Sequence, residues 1–436
     1  MNHKKKLLAA YINEFNINFL VEGAKKYNCQ SIIKFLKKKK LNTFTKDKIQ
    51  NKNLDPWVQN VSINTGVPSS EHQVYNIGQN INIKNQQIWD LLAKKKITSG
   101  VWGPMNSIYR ENNKLRLYFP DPWNFSQKSY PVRLKYLTYL PSYYAQNYLE
   151  PSKIKIIQLT FKFLYGIFIN KYFLDLVKFI PFLINCIYKK GLNNYILFLI
   201  LDLISVVGFK KEVVKNKIQF GMIFLNSIAH YQHNNWDDKN DHKIFFKFTN
   251  LIFEELTKIE KNFDSTLVFN GFSQIKTKNE YILRPKNPKK FLKNLNVDFL
   301  KLEQDMTNGG LLFFENEKKK KLAIYLLGQV RFNNLNFFSV KSINKKTLFY
   351  RIVVKARKLK NKNHTSKRHF QLYNELKNNK KNPNSNQNKE LLSHLKFIKS
   401  SGKHHRCGSL LFKNVIIKSK KVENHNIFKI IKNYYQ

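Results

Sequence analysis

Apolar positions along this chain alternate between short dense runs and longer stretches with a helical period. Residues 7–15, LLAAYINEF, predict a buried strand opening into a loop, and NINFLVEGAKKYNCQSIIKFLKKK, residues 16–39, carries the helical period. LDPWVQNVSINTG predicts another helix, with Asp55 as its N-cap and Pro56 at its first position. Gly66 ends it, and VPSSEHQVYNIGQ forms a loop. QIWDLLAKKK is amphipathic, and ITSGVWGP is a short strand stopping at Gly103-Pro104. Further on, QFGMIFLNSIAHYQHNNW reads as a strand feeding a helix, FFKFTNLIFEELTKIEKNF as a long helix and STLVFNGFSQ as a strand. SSGKHHRCGSLLFKN reads as a loop entering a strand. Helices alternating with short apolar strands predict an α/β fold, a three-layer α/β/α sandwich around a mainly parallel sheet.

Residues 151–219 break the alternation. They are very apolar, with Pro181 and Gly191 as the main turn signals. Lys171, Asp175, Lys178, Lys189, Lys190 and Asp202 interrupt every run before the roughly eighteen charge-free residues that a membrane span needs. The expectation is a cap-like helical insertion dividing the core into a first part, 1–150, and a second, 220–436. No transmembrane segment is expected, and peripheral contact with a membrane surface remains open. A Lys/Asn-rich stretch near 375–392 reads as a solvated loop.

Charge changes this picture less than its size implies. The formal net charge is +49, but only nine of the 77 basic residues are arginine, the side chain best suited to bidentate phosphate contacts. Abundant Lys, Asn, Ile and Phe together are what an A+T-rich coding sequence yields, so a nucleic-acid partner is the lesser alternative. Three scattered cysteines, Cys29, Cys186 and Cys407, show no CxxC spacing and suit a reducing compartment. The apolar run after MNHKKK ends at Asn13 and Glu14, too soon for a signal peptide, so a cytoplasmic location is expected.

Candidate chemistry sits in three segments. FLNSIAHYQH places Asn226 and His230 four residues apart, on one face of a helix, where both can address one ion. His233, three further on, is expected to lie off that face. GKHHRCG presents His404 between glycines in a tight loop, and NTGVPSSEH is a helix cap followed by a loop. Each alone is matched by an ordinary structural explanation. No P-loop, dinucleotide fingerprint, GxSxG elbow or HExxH motif is present.

In their order, YINEF, INTGVPSSEH, NSIAH, LVFNGFSQ and SGKHHRCG resemble the alkaline phosphatase superfamily, and within it the type I phosphodiesterase and nucleotide pyrophosphatase branch. The likeness runs from about residue 7 to 415. It implies two zinc ions bridged by a Ser or Thr nucleophile at a helix start. Carried over, His230 and His404 match two histidine ligands, whereas Asn226 stands at an aspartate's place. Asn13 or Glu14 takes the first acid's place, Asp55 the nucleophile's, and Asn270-Gly271 replaces an Asp-His pair. The resemblance therefore implies a phosphodiesterase- or phosphatase-like protein with a degenerate metal site, its phosphoryl-transfer chemistry lost or altered. Glu14, Asn226, His230 and His404 are the metal candidates and Asp55 the helix-start candidate. Zinc or another divalent ion is the expected cofactor, held weakly because Asn226 is neutral. The alternatives are an active single-metal hydrolase or transferase on phosphorylated or glycan substrates, and a Lys-rich nucleic-acid-binding protein.

Overall fold

The computed structural model of the protein describes residues 5–47, 54–78, 83–124, 127–147, 151–304, 308–332, 335–353, 370–372 and 394–436. The predicted loop at 375–392 lies outside them. The chain divides into two compact units. One comprises Met1–Gln146, Ser152–Lys276 and Gly402–Gln436; the other comprises Asn147–Pro151 and Thr277–Ser401.

The first unit is built on an eight-stranded sheet. In chain order its strands are β1 (Leu7–Ile12), β2 (Lys39–Phe44), β3 (Ser99–Trp102), β4 (Leu115–Phe119), β5 (Phe220–Leu225), β6 (Ser265–Phe269), β7 (Cys407–Lys413) and β8 (Lys421–Glu423). Their spatial order is β8-β2-β7-β6-β1-β5-β3-β4. Strands β6, β1, β5, β3 and β4 are mutually parallel. β7 runs antiparallel between β6 and β2. All six residues of β1 are fully buried, although successive side chains point to opposite faces, so both faces of the sheet must be covered.

The covering elements are helices. Those used below are α1 (Ile17–Lys26), α2 (Gln30–Leu36), α3 (Pro56–Thr65), α4 (Lys153–Ile169), α5 (Phe173–Leu176), α6 (Ile180–Lys190), α7 (Asn194–Lys215), α8 (Ser227–Asn235) and α9 (Lys239–Glu260). On one face α7 packs on α9 and α9 on α2, while α3, Ile88–Lys94 and Ile427–Tyr434 pack together in a separate group. The arrangement is the expected α/β layer fold around a mixed, largely parallel sheet. In α9 the buried residues Phe245, Phe248, Ile252, Leu256 and Ile259 recur at three- and four-residue intervals, the stripe that fixes an amphipathic helix on a core. Burying each such side chain contributes about 1.5–3 kcal/mol.

The periodic segment at 16–39 forms two helices, because Asn28 takes a left-handed conformation (φ 52°) between them. Residues 151–219 contain α4 to α7, and among the described residues no helix is long and apolar enough to cross a membrane. The second unit carries a four-stranded antiparallel sheet (Phe338–Asn344, Thr347–Ile352, Gly309–Phe313, Lys301–Gln304) over a core that includes Phe291, Leu312, Leu327 and Tyr350.

One buried amide ties the antiparallel strand into the sheet. Asn270, fully buried, accepts from the Ser409 backbone N–H at 2.7 Å and donates to the Phe15 carbonyl at 2.8 Å. Gly408 makes room for it, since a Cβ there would come within 2.4 Å of the Asn270 Oδ1. Asn270→Ala leaves one buried donor and one buried acceptor unpaired, at about 1–3 kcal/mol each. Urea unfolding should show a lowered midpoint with an unchanged slope; an unchanged midpoint would mean the clamp is dispensable.

Candidate metal centre

Three parallel strands end in polar residues at one edge of the sheet. β1 runs into Asn13-Glu14, β5 into Asn226 and β6 into Asn270, while antiparallel β7 begins at that edge just after His404 and His405. Ligands of parallel α/β sheets gather at the carboxyl ends of strands, because there the loops leave a crevice.

Glu14 lies at the middle of this edge. It is 2% exposed and has φ 51°, a left-handed conformation that costs a non-glycine residue about 1–3 kcal/mol. Its Oε2 lies 3.0 Å from Nε2 of His233 and 3.2 Å from Nε2 of His404, and accepts from Gln274 Nε2 at 2.6 Å. Its Oε1 accepts from the Asn13 amide at 3.2 Å. Burial opposes charge on Glu14, but His404 and then His233 outweigh it and hold the carboxyl well below its usual range. Burial likewise disfavours the His404 imidazolium, yet Glu14 overrides it and raises the imidazole to about 9. Asp55 adds to this from 3.8 Å.

The ligating atoms of Glu14, His233 and His404 lie within 4.8 Å of one another. Tetrahedral zinc with bonds of about 2.0–2.1 Å separates its ligands by about 3.3 Å, and two imidazoles with one carboxylate form a set that leaves a position open for a further ligand. The trio fits a divalent ion on both counts. Beside it the Oδ1 of Asn13 is buried and has no hydrogen-bond partner among the described residues, a spare oxygen donor at the same edge.

The histidine that joins the trio is His233, which corrects the expectation that it lies off the site. Positions 226 and 233 are seven residues apart, nearly two full turns at 3.6 residues per turn, so they share a face more closely than 226 and 230 do. His230 instead stacks on Phe198, with ring centroids 3.4 Å apart, and its Nε2 lies 3.3 Å from the Asn226 amide nitrogen. Burial, and then His233, push its imidazole down to about 3, keeping it neutral. Asn226 accepts from Asn13 at 2.7 Å, so its oxygen is already engaged. Its backbone N–H donates to Asp202 of α7, which receives the Ser227 N–H as well and so anchors the first turn of α8. Asp55 occupies the N-cap of α3 without making a capping bond and faces His404 instead. Asn270 is consumed by the clamp described above. Gln274, which fixes Glu14, went unsuspected in the sequence because a lone glutamine carries no motif.

No protein-family model matches the chain, and neither does any curated protein. Among solved structures the chain is similar to phosphonoacetate hydrolase from Sinorhizobium meliloti 1021, at 7% identity and a TM-score of 0.43, covering 98% of this chain and 95% of that one. It is similar to human ectonucleotide pyrophosphatase/phosphodiesterase 5 at 9% identity and a TM-score of 0.46, covering 99% and 95%. The murine form of the latter gives 8% and 0.43 over the same shares.

The ion pair makes the metal-free protein sensitive to pH in a defined direction. The Glu14 contribution is complete above its ordinary value of 4.5 and fades as pH falls toward its depressed one. The His404 contribution is complete below 6.5 and fades as pH rises through about 9. Thermal melts in chelator should therefore show wild type leading Glu14→Gln most between pH 4.5 and 6.5. The lead should shrink toward pH 9. A lead that does not vary with pH would refute the coupling.

Proposed function

We propose that the protein is a phosphodiesterase- or phosphatase-like member of the alkaline phosphatase superfamily whose phosphoryl-transfer chemistry is lost or altered. In this reading one divalent ion, zinc by its donor set, is held by Glu14, His233 and His404. The observation that carries it is the convergence of these three groups on the carboxyl edge of the parallel sheet. A bound ion there would supply a Lewis acid for a phosphoryl or other anionic oxygen of a phosphorylated or glycan substrate.

The protein's own groups define what is altered. Asn226 and Asn270, and Asn13 beside Glu14 at the first acid's place, are neutral where the resembling family carries carboxylates, and all three are hydrogen-bonded within the fold. Asp55 stands at the start of α3, where that family places a hydroxyl nucleophile. A carboxylate in that position offers no alkoxide for a phosphoester intermediate; 3.8 Å from the His404 Nδ1, it would orient that imidazole. Without the ion, Glu14 holds both histidines through their Nε2 atoms, and Gln274 fixes Glu14.

Zinc titration by calorimetry, paired with hydrolysis of p-nitrophenyl phosphate and bis-p-nitrophenyl phosphate, tests this. One ion per chain is expected, with hydrolysis at background. His233→Ala should weaken binding by about tenfold or more, since second-shell losses alone reach that size. His230→Ala should leave it nearly unchanged. Absence of binding, or equal binding by His233→Ala, would remove the metal site. Zinc-dependent turnover abolished by Glu14→Gln would establish the active single-metal hydrolase in its place.

A further inference from the structure

The helices at 153–190 expose apolar side chains in a pattern that has no role in the sheet or at its edge. On α4, Ile154, Ile157, Phe161, Leu164 and Phe168 recur every three or four residues and are 53% to 71% exposed. The opposite side of α4 is seated, since Leu159 is buried and a Cβ at Gly166 would meet Tyr136 at 2.9 Å. The pattern continues through α5 and α6 with Leu174, Val177, Ile180, Ile184 and Tyr188. Phe168 and Phe173, stacked at 5.5 Å, join the two runs. Exposed apolar runs of this extent, joined at Phe168 and Phe173, mark a docking surface rather than scattered exposure.

Charge identifies what docks there. Residues 153–192 contain seven lysines and a single acid, Asp175; Lys178 is paired with Glu255 and Lys190 with Asp241, which leaves Lys153, Lys155, Lys162, Lys171 and Lys189 as the surplus cations. Asp175 is neutralised by Lys210 at 3.3 Å and Lys211 at 3.2 Å. Directly after α4 the surface opens into a groove of about 580 Å³ lined by Arg133, Lys171, Lys210, Lys211 and Lys215; Arg133 is paired with Glu212, Lys210 with Asp175 and Glu255, and Lys211 with Asp175, so Lys171 and Lys215 are its surplus cations. An exposed apolar helical face in a segment with surplus lysines, beside a groove that holds Lys171 and Lys215, matches the acyl boundary and anionic headgroups of a bilayer. A second copy would bring the same surplus of lysines against itself, on a chain of net charge +49.

We propose that this face lies on an anionic membrane surface, with α4 to α6 in the interfacial plane and the groove receiving headgroups. The inference is independent of the metal site. Sedimentation of the full chain with vesicles of phosphatidylcholine, alone or with one quarter phosphatidylserine, tests it. Wild type should pellet with the anionic vesicles, and Phe161→Trp should show a blue-shifted emission on binding. The double variant Ile157→Glu/Phe161→Glu should partition at least about tenfold more weakly, as expected when two apolar anchors are lost, with an unchanged circular dichroism melt. If it unfolds, the tryptophan shift decides alone. Equal binding by the double variant without a tryptophan shift would mean adsorption through scattered lysines, and overturns the proposal. So would no binding to anionic vesicles, or lipid-free self-association that the double variant abolishes.

Discussion

A buried carboxylate without a countercharge is among the least tolerable arrangements in a protein interior, and Glu14 is held from being one by two histidines and a glutamine. Removing a single partner from such a group leaves a charge in a medium that cannot solvate it. The surrounding chain is therefore constrained to bring His233, His404 and Gln274 to one point, from a helix and from both stems of the segment between β6 and β7. The left-handed backbone at Glu14 fits the same view, because local strain persists only where neighbouring structure over-determines it.

Around that charge the edge of the sheet is lined with amides rather than acids. Asn226 and Asn270 each donate and accept, and Asn13 donates to both Glu14 and Asn226, so they link strand ends to one another where carboxylates would repel. The negative charge at this edge comes from Glu14 with Asp55 nearby, while the amides stitch β1, β5, β6 and β7 together.

Much of the scaffold was legible in the chain. The strands at 7–12, 220–225 and 265–269 are continuous apolar runs, and buried parallel strands have that signature. The long helix α9 was visible in its apolar stripe. Strand β2 was not, because four of the six residues of KKLNTF are polar and it follows directly on the lysines that end a helix; only pairing with β7 and β8 makes it a strand. At the site, Glu14 and His404 were recoverable from their places in the motif order. His233 is hidden from three- and four-residue steps, because the position whose face it shares, Asn226, lies seven residues back. No local pattern announces Gln274 or the stacking of His230 on Phe198, since both are settled by elements far apart in the chain.

The trio of Glu14, His233 and His404 has a temporal consequence. Its members are made early, midway and late in synthesis, and the strand that follows His404 completes the sheet only after the whole second unit has been made. Contacts so distant in sequence form late in folding, because the intervening chain must be ordered before they repay its closure. A ribosome-bound chain thus carries Glu14 without its later partners, exposed to solvent and unable to assemble the pocket. The cluster can therefore close only once His404 has emerged, when all of its members are present.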